Sequence, residues 1–336
     1  MSLATKYRPT TFEEVCAQKT IIKILNKQLE LKQYPNCYMF CGKSGCGKTT
    51  IARILANKIN NNCGSPIEID GASNNGVDNV RSIINEAKER SLDSEYKIFI
   101  IDEAQMITNA GWNAFLKCIE ETPKYTIFMF CTTDPQKIPE TIQNRVMRFN
   151  LTSIPSDIIK QRLDYICLKE SFMDYEEGTS YISKIVDGSM RDAITQLEKV
   201  SNYDKNINLN NVMNVLGFYS YDILFNLTNS IIDSNNQKLL ECLKTVFSIN
   251  NNLINFIDQY IRFVLDLGIY SITKDIKNVS IPETQKDKVD YTINIENNTN
   301  YFKWLLNNLL DIKNTLKYDN DIKSTITIKF LQLIRG

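Results

Sequence analysis

Not one histidine occurs in the 336 residues. That absence removes Ser-His-Asp and Cys-His nucleophile pairs, and with them His-ligated zinc, haem and non-haem iron. Chemistry in this chain must run on carboxylates, Lys, Arg, hydroxyls, thiols or backbone groups. Long apolar runs are also missing. None approaches the roughly 18 residues of a membrane span, and the opening MSLATKYRPTTF lacks an apolar signal core. No membrane association is expected, and the cytoplasm is the expected location. The nine cysteines form no C-x-x-C pair and are odd in number, which suits reduced, mostly buried thiols better than a disulfide framework. Internal repeats and low-complexity tails are lacking too.

At about 100–200 residues per domain, the length calls for two or three domains. Formal charge is balanced, with 39 basic and 39 acidic residues, but the balance is not local. Residues 1–60 hold ten Lys/Arg against three Asp/Glu, and residues 61–140 hold seven against thirteen. The basic opening either serves phosphates or is a solvated surface.

Up to about residue 150, short β-rich runs alternate with helical patterns, the signature of a parallel α/β sheet. Strands are expected at 37–41, 67–70, 96–101, 126–131 and 146–151, and helices at 49–60, 77–90 and 111–121. Beyond Pro155 the pattern turns helical. Short helices are expected at 156–169, 178–186 and 191–200, then 222–233, 237–248, 253–271, 301–317 and 321–334. The polar stretch 274–298, with Pro282, reads as a loop or hairpin.

One motif is specific. Gly42-Lys43-Ser44-Gly45-Cys46-Gly47-Lys48-Thr49 matches G-x-x-x-x-G-K-[ST], in which backbone N–H groups and a helix N-terminus cradle phosphates. A chance match in a chain of this length is expected about one time in a hundred, and here a strand precedes the motif and a helix follows it. Lys48 is placed to reach the β- and γ-phosphates, and the Thr49 hydroxyl to hold Mg²⁺. The strand at 96–101 ends in Asp102-Glu103. Ligands of parallel sheets bind beyond the carboxyl ends of the strands, so Asp102 is a Mg²⁺ ligand and Glu103 a general base for water. Thr133, at the next strand end, can orient that water or touch the γ-phosphate; a turn or cap threonine is the plainer reading. Arg145 and Arg191 are the candidate guanidinium groups for phosphoryl transfer, in cis or from a neighbouring subunit, although ordinary salt bridges would account for either from spacing alone.

The order of these motifs resembles a known family. Tyr7-Arg8-Pro9 followed by Thr11-Phe12-Glu13-Glu14-Val15 looks like the opening segment of clamp-loader ATPases. Ile67-Glu68-Ile69-Asp70-Gly71-Ala72-Ser73-Asn74-Asn75-Gly76, Asn113-Ala114-Phe115-Leu116-Lys117, Thr132-Thr133-Asp134-Pro135-Gln136 and Gly188-Ser189-Met190-Arg191-Asp192 resemble the bacterial DNA polymerase III gamma/tau subunits. The match covers residues 1 to about 200.

The resemblance implies an α/β RecA-like AAA+ domain (1–153), a small helical lid (154–205) and an all-α collar (206–336). It implies an ATPase, stimulated by DNA and clamp, that helps to open a sliding clamp and load it on primer-template DNA, in a ring of clamp-loader subunits with five positions. ATP is bound by Tyr7, Arg8, Pro9, the 42–49 loop and Thr50. Arg191 senses the γ-phosphate in cis, and Arg145 acts in trans on a neighbour's ATP. DNA phosphates are met by Ser73, Asn74, Asn75, Arg81 and Lys117, for which a polar loop and an exposed helix are the plainer readings.

There are departures. Asn144-Arg145-Val146 replaces Ser-Arg-Cys, and Cys16-Ala17-Gln18 replaces Val-Gly-Gln, so the methyl of Ala17 narrows the base pocket. Gln105 stands where the family has histidine. Cys63 is alone where a four-cysteine module is usual, so no zinc is expected. The chain ends at the collar, without the tail of the long family form. A subunit that binds ATP but hydrolyses little, and another AAA+ DNA motor such as a branch-migration helicase, are the alternatives.

Overall fold

The computed structural model describes residues 1–249, 252–295, 299–316, 319 and 321–334. The chain forms two compact units: Met1–Ile166 with Ile185–Glu198, and Cys167–Lys184 with Lys199–Gly336. Residues 154–205 are divided between them.

In the first unit a short helix α1 (Leu3–Lys6) and helix α2 (Lys19–Leu31) lead into β1 (Cys37–Cys41) and α3 (Lys48–Ile59). Next come β2 (Ile67–Asp70), α4 (Val77–Ala87), β3 (Lys97–Asp102), α5 (Asn109–Glu120), β4 (Thr126–Thr132), α6 (Glu140–Gln143) and β5 (Met147–Asn150). The five strands form one sheet in the order β2-β3-β4-β1-β5, and every pairing is parallel. The expected strands are all present, within a residue or two at each end.

Alternation along the strands builds two cores. Tyr38 and Phe40 of β1, Ile98 and Ile100 of β3, and Ile127, Met129 and Cys131 of β4 face α2 and α3. Met39, Phe99, Ile101, Phe128 and Phe130 face α4 and α5, where Val80, Ile83, Trp112 and Phe115 meet them. Both faces are covered, as an all-parallel sheet requires. Every residue of β4 is buried, and each apolar side chain fully buried there contributes about 1.5–3 kcal/mol.

Two helices of ten or more residues were not anticipated. Helix α2 buries only Ile21 and Leu25, and it starts after Gln18, whose φ is 57° and whose side chain makes no capping bond. No Ser, Thr, Asp or Asn announces its start.

The second surprise lies in the second unit. Helices α7 (Ser156–Glu170), α8 (Tyr175–Ile185) and α9 (Met190–Tyr203) span both sets of residues. After them α10 (Leu209–Leu216), α11 (Tyr221–Ile232), α12 (Asn236–Ile249), α13 (Leu253–Thr273), α14 (Lys286–Ile295), α15 (Thr299–Leu316) and α16 (Ile322–Leu333) form the second unit's helical array. The stretch expected to be loop therefore carries α14, whose Val289 and Ile293 are buried one turn apart. Residues 296–298 and 317, included in the expected loop and helix, lie outside the described residues.

Asp266 of α13 and Lys184 of α8 both bond the backbone at Val279–Ser280. The Asp266 carboxylate accepts from the Ser280 N–H at 3.1 Å. Lys184 of α8 donates to the carbonyls of Val279 and Ser280 at 3.3 and 3.2 Å. Burial pushes the Asp266 carboxyl up to about 6, against the opposing pull of the Ser280 bonds and the Lys184 charge. Its pKa is thus raised on folding, so the stability it confers is complete below its unfolded value of 3.8 and is lost as pH rises towards 6. The difference is worth about 3 kcal/mol. Replacing Asp266 with Asn should flatten the fall in unfolding free energy between about pH 4 and 6.5. Urea titrations of both proteins across that range test this, and parallel pH profiles would refute it.

Candidate functional site

The 42–47 turn joins the carboxyl end of β1 to α3. Gly45 and Gly47 have φ of 71° and 107°, a region open to glycine and costly for other residues. At Gly45 a Cβ would also stand 2.0 Å from Ser189 Oγ.

Lys48 is only 7% exposed. Its ammonium donates to the carbonyls of Gly42 and Lys43, each at 2.9 Å, so the loop encloses the charge. Beside it, the Thr49 hydroxyl donates to the Asp102 carboxylate at 2.8 Å. The two oxygen groups expected to hold Mg²⁺ are thus adjacent, and hard oxygen donors of this kind fit that ion.

Glu103 follows Asp102 with φ 49°, a left-handed conformation costing about 1–2 kcal/mol outside glycine. Two hydrogen bonds hold the segment there. The Glu103 N–H donates to the Asp102 carboxylate at 3.0 Å, and the Gly71 N–H donates to the Asp102 carbonyl at 2.8 Å. A Cβ on Gly71 would meet that carbonyl oxygen at 2.8 Å and the Glu103 carbonyl oxygen at 2.9 Å, so close approach demands glycine.

The neighbouring strand end joins the cluster through Gln105, which the sequence did not mark as a site residue. Its amide nitrogen donates to the Glu103 carboxylate and to the Thr133 hydroxyl at 2.9 Å. Its amide oxygen accepts from the buried Thr132 hydroxyl at 2.8 Å and from the Thr133 N–H at 3.3 Å. Lys48, Thr49, Asp102, Glu103 and Thr133 therefore lie together at the carboxyl edge of the sheet.

Arg191 lies close in chain to this edge. The Met190 N–H donates to the Gly45 carbonyl at 3.1 Å, and Lys43 pairs with Asp187 at 2.8 Å. Both members of that pair are exposed, which limits it to at most about 1 kcal/mol.

Arg145 lies elsewhere. It precedes β5, which runs parallel to β1 in the register Tyr38↔Met147 and Cys41↔Asn150. It therefore lies towards the amino edge of the sheet, roughly 20 Å along the strands from the phosphate loop at about 3.3 Å per residue. There its guanidinium pairs with Glu120 at 2.8 Å and donates to the Thr141 carbonyl at 2.7 Å.

Of the N-terminal candidates, Tyr7 packs on α7. The Tyr7 carbonyl accepts from Arg162 at 2.9 Å, and the Tyr7 ring meets Tyr165 edge-on at 6.4 Å. Ala17 and Gln18 are both left-handed, with φ of 65° and 57°, so alanine stands at a position where glycine would be unstrained. The Gln18 amide pairs with both backbone groups of Thr152, at 2.7 and 3.3 Å.

Asp70 organises the loop after β2. It accepts from the Ser73 hydroxyl at 2.6 Å and the Ala72 N–H at 3.0 Å, while its carbonyl accepts from the Asn74 amide at 3.0 Å. The Asn75 carbonyl accepts the N–H and hydroxyl of Thr108, the N-cap of α5, at 3.2 and 3.1 Å. The starts of α4 and α5 are thus neighbours. Arg81 is exposed one turn into α4, near Asp78. Lys117 is exposed near the far end of α5, so the fold does not gather it with Ser73–Asn75.

Burial disfavours the thiolate form of the thiols near the loop. Burial pushes Cys41 and Cys46 up, and it raises Cys131 well above the ordinary range, reinforced by the Asp102 charge. Cys63 is exposed. Among the described residues no group of three or more Cys, Asp or Glu could hold a metal, and no helix is long and apolar enough to cross a membrane.

Comparisons with known proteins bear on the family of the chain. The family described as DNA polymerase III, delta subunit, matches residues 65–155. The chain is 32% identical to the DNA polymerase III subunit tau of Bacillus subtilis over 308 residues, 85% of this chain and 54% of that one. It is 30% identical to the subunit gamma/tau of Mycoplasma genitalium over 87% of this chain and 52% of that one. The chain thus spans about half the length of these two relatives. It is also 30% identical to the subunit gamma of Buchnera aphidicola subsp. Schizaphis graminum, covering 89% of this chain and 88% of the relative. Among solved structures, the Thermotoga maritima RuvB Holliday junction branch migration motor aligns with TM-score 0.53 at 19% identity, over 68% of this chain and 80% of that one. That likeness bears on the fold alone. With a relative of matching length at that identity, the chain belongs to the DNA polymerase III gamma/tau family.

Proposed function

We propose that this chain is an ATPase subunit of a replication clamp loader, with an ATPase core at 1–153, a lid at 154–205 and a collar at 206–336. The supporting observation is the grouping beside a Gly-rich loop of Lys48, bonded to the loop carbonyls, Thr49, bonded to Asp102, and Glu103 and Thr133, both bonded to Gln105. The loop N–H groups and the start of α3 bind the phosphates of ATP, assisted by Lys43, Ser44, Cys46 and Thr50. Tyr7, Arg8 and Pro9 bind the nucleotide from the N-terminal side. Lys48 neutralises charge on the β- and γ-phosphates. Mg²⁺ held by Thr49 and Asp102 would supply further neutralisation there.

Glu103 takes a proton from water as that water attacks the γ-phosphorus, and Thr133 orients the water. The bond to the β-γ bridging oxygen breaks, and ADP leaves with its electron pair. Arg191 meets the γ-phosphate in cis, while Arg145, on the far edge of the sheet, serves a neighbour's site in a ring of five positions. The ring opens a sliding clamp and closes it on primer-template DNA in the cytoplasm. Ser73, Asn74, Asn75 and Arg81 contact phosphates at the start of α4, with Lys117 as a more distant contact. These contacts carry no sequence information and weaken with salt.

The test is ATP hydrolysis by the complex assembled with its copurifying subunits. Primed DNA and sliding clamp together should raise the rate. Processive unwinding with no clamp present would instead favour another AAA+ DNA motor.

A further inference from the structure

We propose that Gln105 is a positioning residue for hydrolysis, a fork that sets Glu103 and Thr133 at a fixed separation. The inference rests on reading Glu103 as the base. Gln105 lies in the single turn Ala104–Met106 between β3 and α5. Ala104 is fully buried in the core beneath the sheet, and the Met106 N–H closes the turn on the Glu103 carbonyl at 2.9 Å. The backbone from which Gln105 projects is therefore anchored.

Its amide is used to capacity. Both hydrogens of the nitrogen are placed, one on the Glu103 carboxylate and one on the Thr133 hydroxyl. Both lone pairs of the oxygen are placed, on the Thr132 hydroxyl and the Thr133 N–H. A primary amide offers two donors from one atom and two acceptor sites from another. No other uncharged side chain of that length does so. An imidazole carries a single hydrogen on each nitrogen and could not bond Glu103 and Thr133 from one atom. A carboxylate would repel Glu103.

Glu103 has three rotatable side-chain bonds and a left-handed backbone. The Gln105 bond removes that freedom. It links the carboxylate that would accept the proton to the hydroxyl that would orient the same water. Since Thr132 and Thr133 end β4 and Glu103 follows β3, the amide also ties two adjacent strand ends together.

The experiment uses Gln105→Met, nearly isosteric and without polar atoms, in the assembled complex with ATP and Mg²⁺. Nucleotide affinity and single-turnover hydrolysis are measured separately. Hydrolysis should slow about 10–100-fold, the scale of a misplaced reacting group, with ATP affinity unchanged. In a Glu103→Gln background, Gln105→Met should add no further loss, because the group it positions is already disabled. Gln105→Glu, which keeps the shape but reverses the donor, should behave like Gln105→Met. A wild-type rate in Gln105→Met, or losses that multiply in the double variant, would overturn the proposal and leave the ATPase reading intact. Normal hydrolysis by a Lys48→Ala complex would overturn the ATPase reading itself.

Discussion

Replacing Lys48 with alanine is expected to weaken ATP binding and to slow hydrolysis by about 10²–10³-fold, the loss seen when one preorganised donor to developing charge is removed. The Lys48 ammonium is buried and held by two loop carbonyls at 2.9 Å. It is the cation that the loop itself encloses. In the free protein it satisfies the carbonyls of Gly42 and Lys43, and an incoming polyphosphate offers it stronger, charged acceptors. Alanine leaves those carbonyls without this partner but adds no bulk, so the fold should persist, which a thermal melt would verify. Equilibrium binding of a fluorescent ATP analogue and steady-state hydrolysis by the assembled complex measure the two effects. Normal values in both would place the nucleotide site elsewhere in the chain.

Glu103→Gln should separate binding from chemistry. The amide is isosteric with the carboxylate, and its oxygen can still accept from Gln105, so the local bonds survive. A glutamine cannot take a proton from water. Hydrolysis should therefore fall about 10²–10⁴-fold, the range for loss of a general base, while ATP affinity stays near that of the wild type. Rapid-quench measurement of a single turnover is the decisive form, because it removes product release from the rate. An unchanged single-turnover rate would favour a subunit that uses ATP as a structural ligand and leaves hydrolysis to its neighbours.

Much of the first unit could be read from the chain. The three inner strands β1, β3 and β4 declared themselves through short, nearly continuous apolar runs, because both of their faces are buried. The phosphate loop and Asp102-Glu103 declared themselves because their backbone geometry and charge admit few residue types. Helix α2 did not, since it buries only two side chains and begins after a left-handed glutamine. Helix α14 did not, since its polar sequence hides a single apolar pair, Val289 and Ile293. Gln105 escaped for another reason. A glutamine has no charge or titration to announce a role, and its bonds to Thr132 and Thr133 exist only because the fold pairs β3 with β4. In the same way the contact between Arg145 and Glu120 joins residues 25 apart in the chain (145 − 120), and no local pattern foretells it.

The placement of Arg145 bears on symmetry. A twofold contact uses one surface patch twice, so it can join only features that share that patch. The phosphate loop and Arg145 sit at opposite edges of the sheet. If, as proposed, Arg145 serves another copy's nucleotide, the donor's own loop is left to be served by a third chain. Contacts of this kind are heterologous, and repeated they yield either a closed ring or an open spiral. In an open arrangement one terminal chain has an arginine with no nucleotide to serve, and the other has a nucleotide that no arginine serves. Such an assembly has two chemically different ends even when every chain in it has this one sequence.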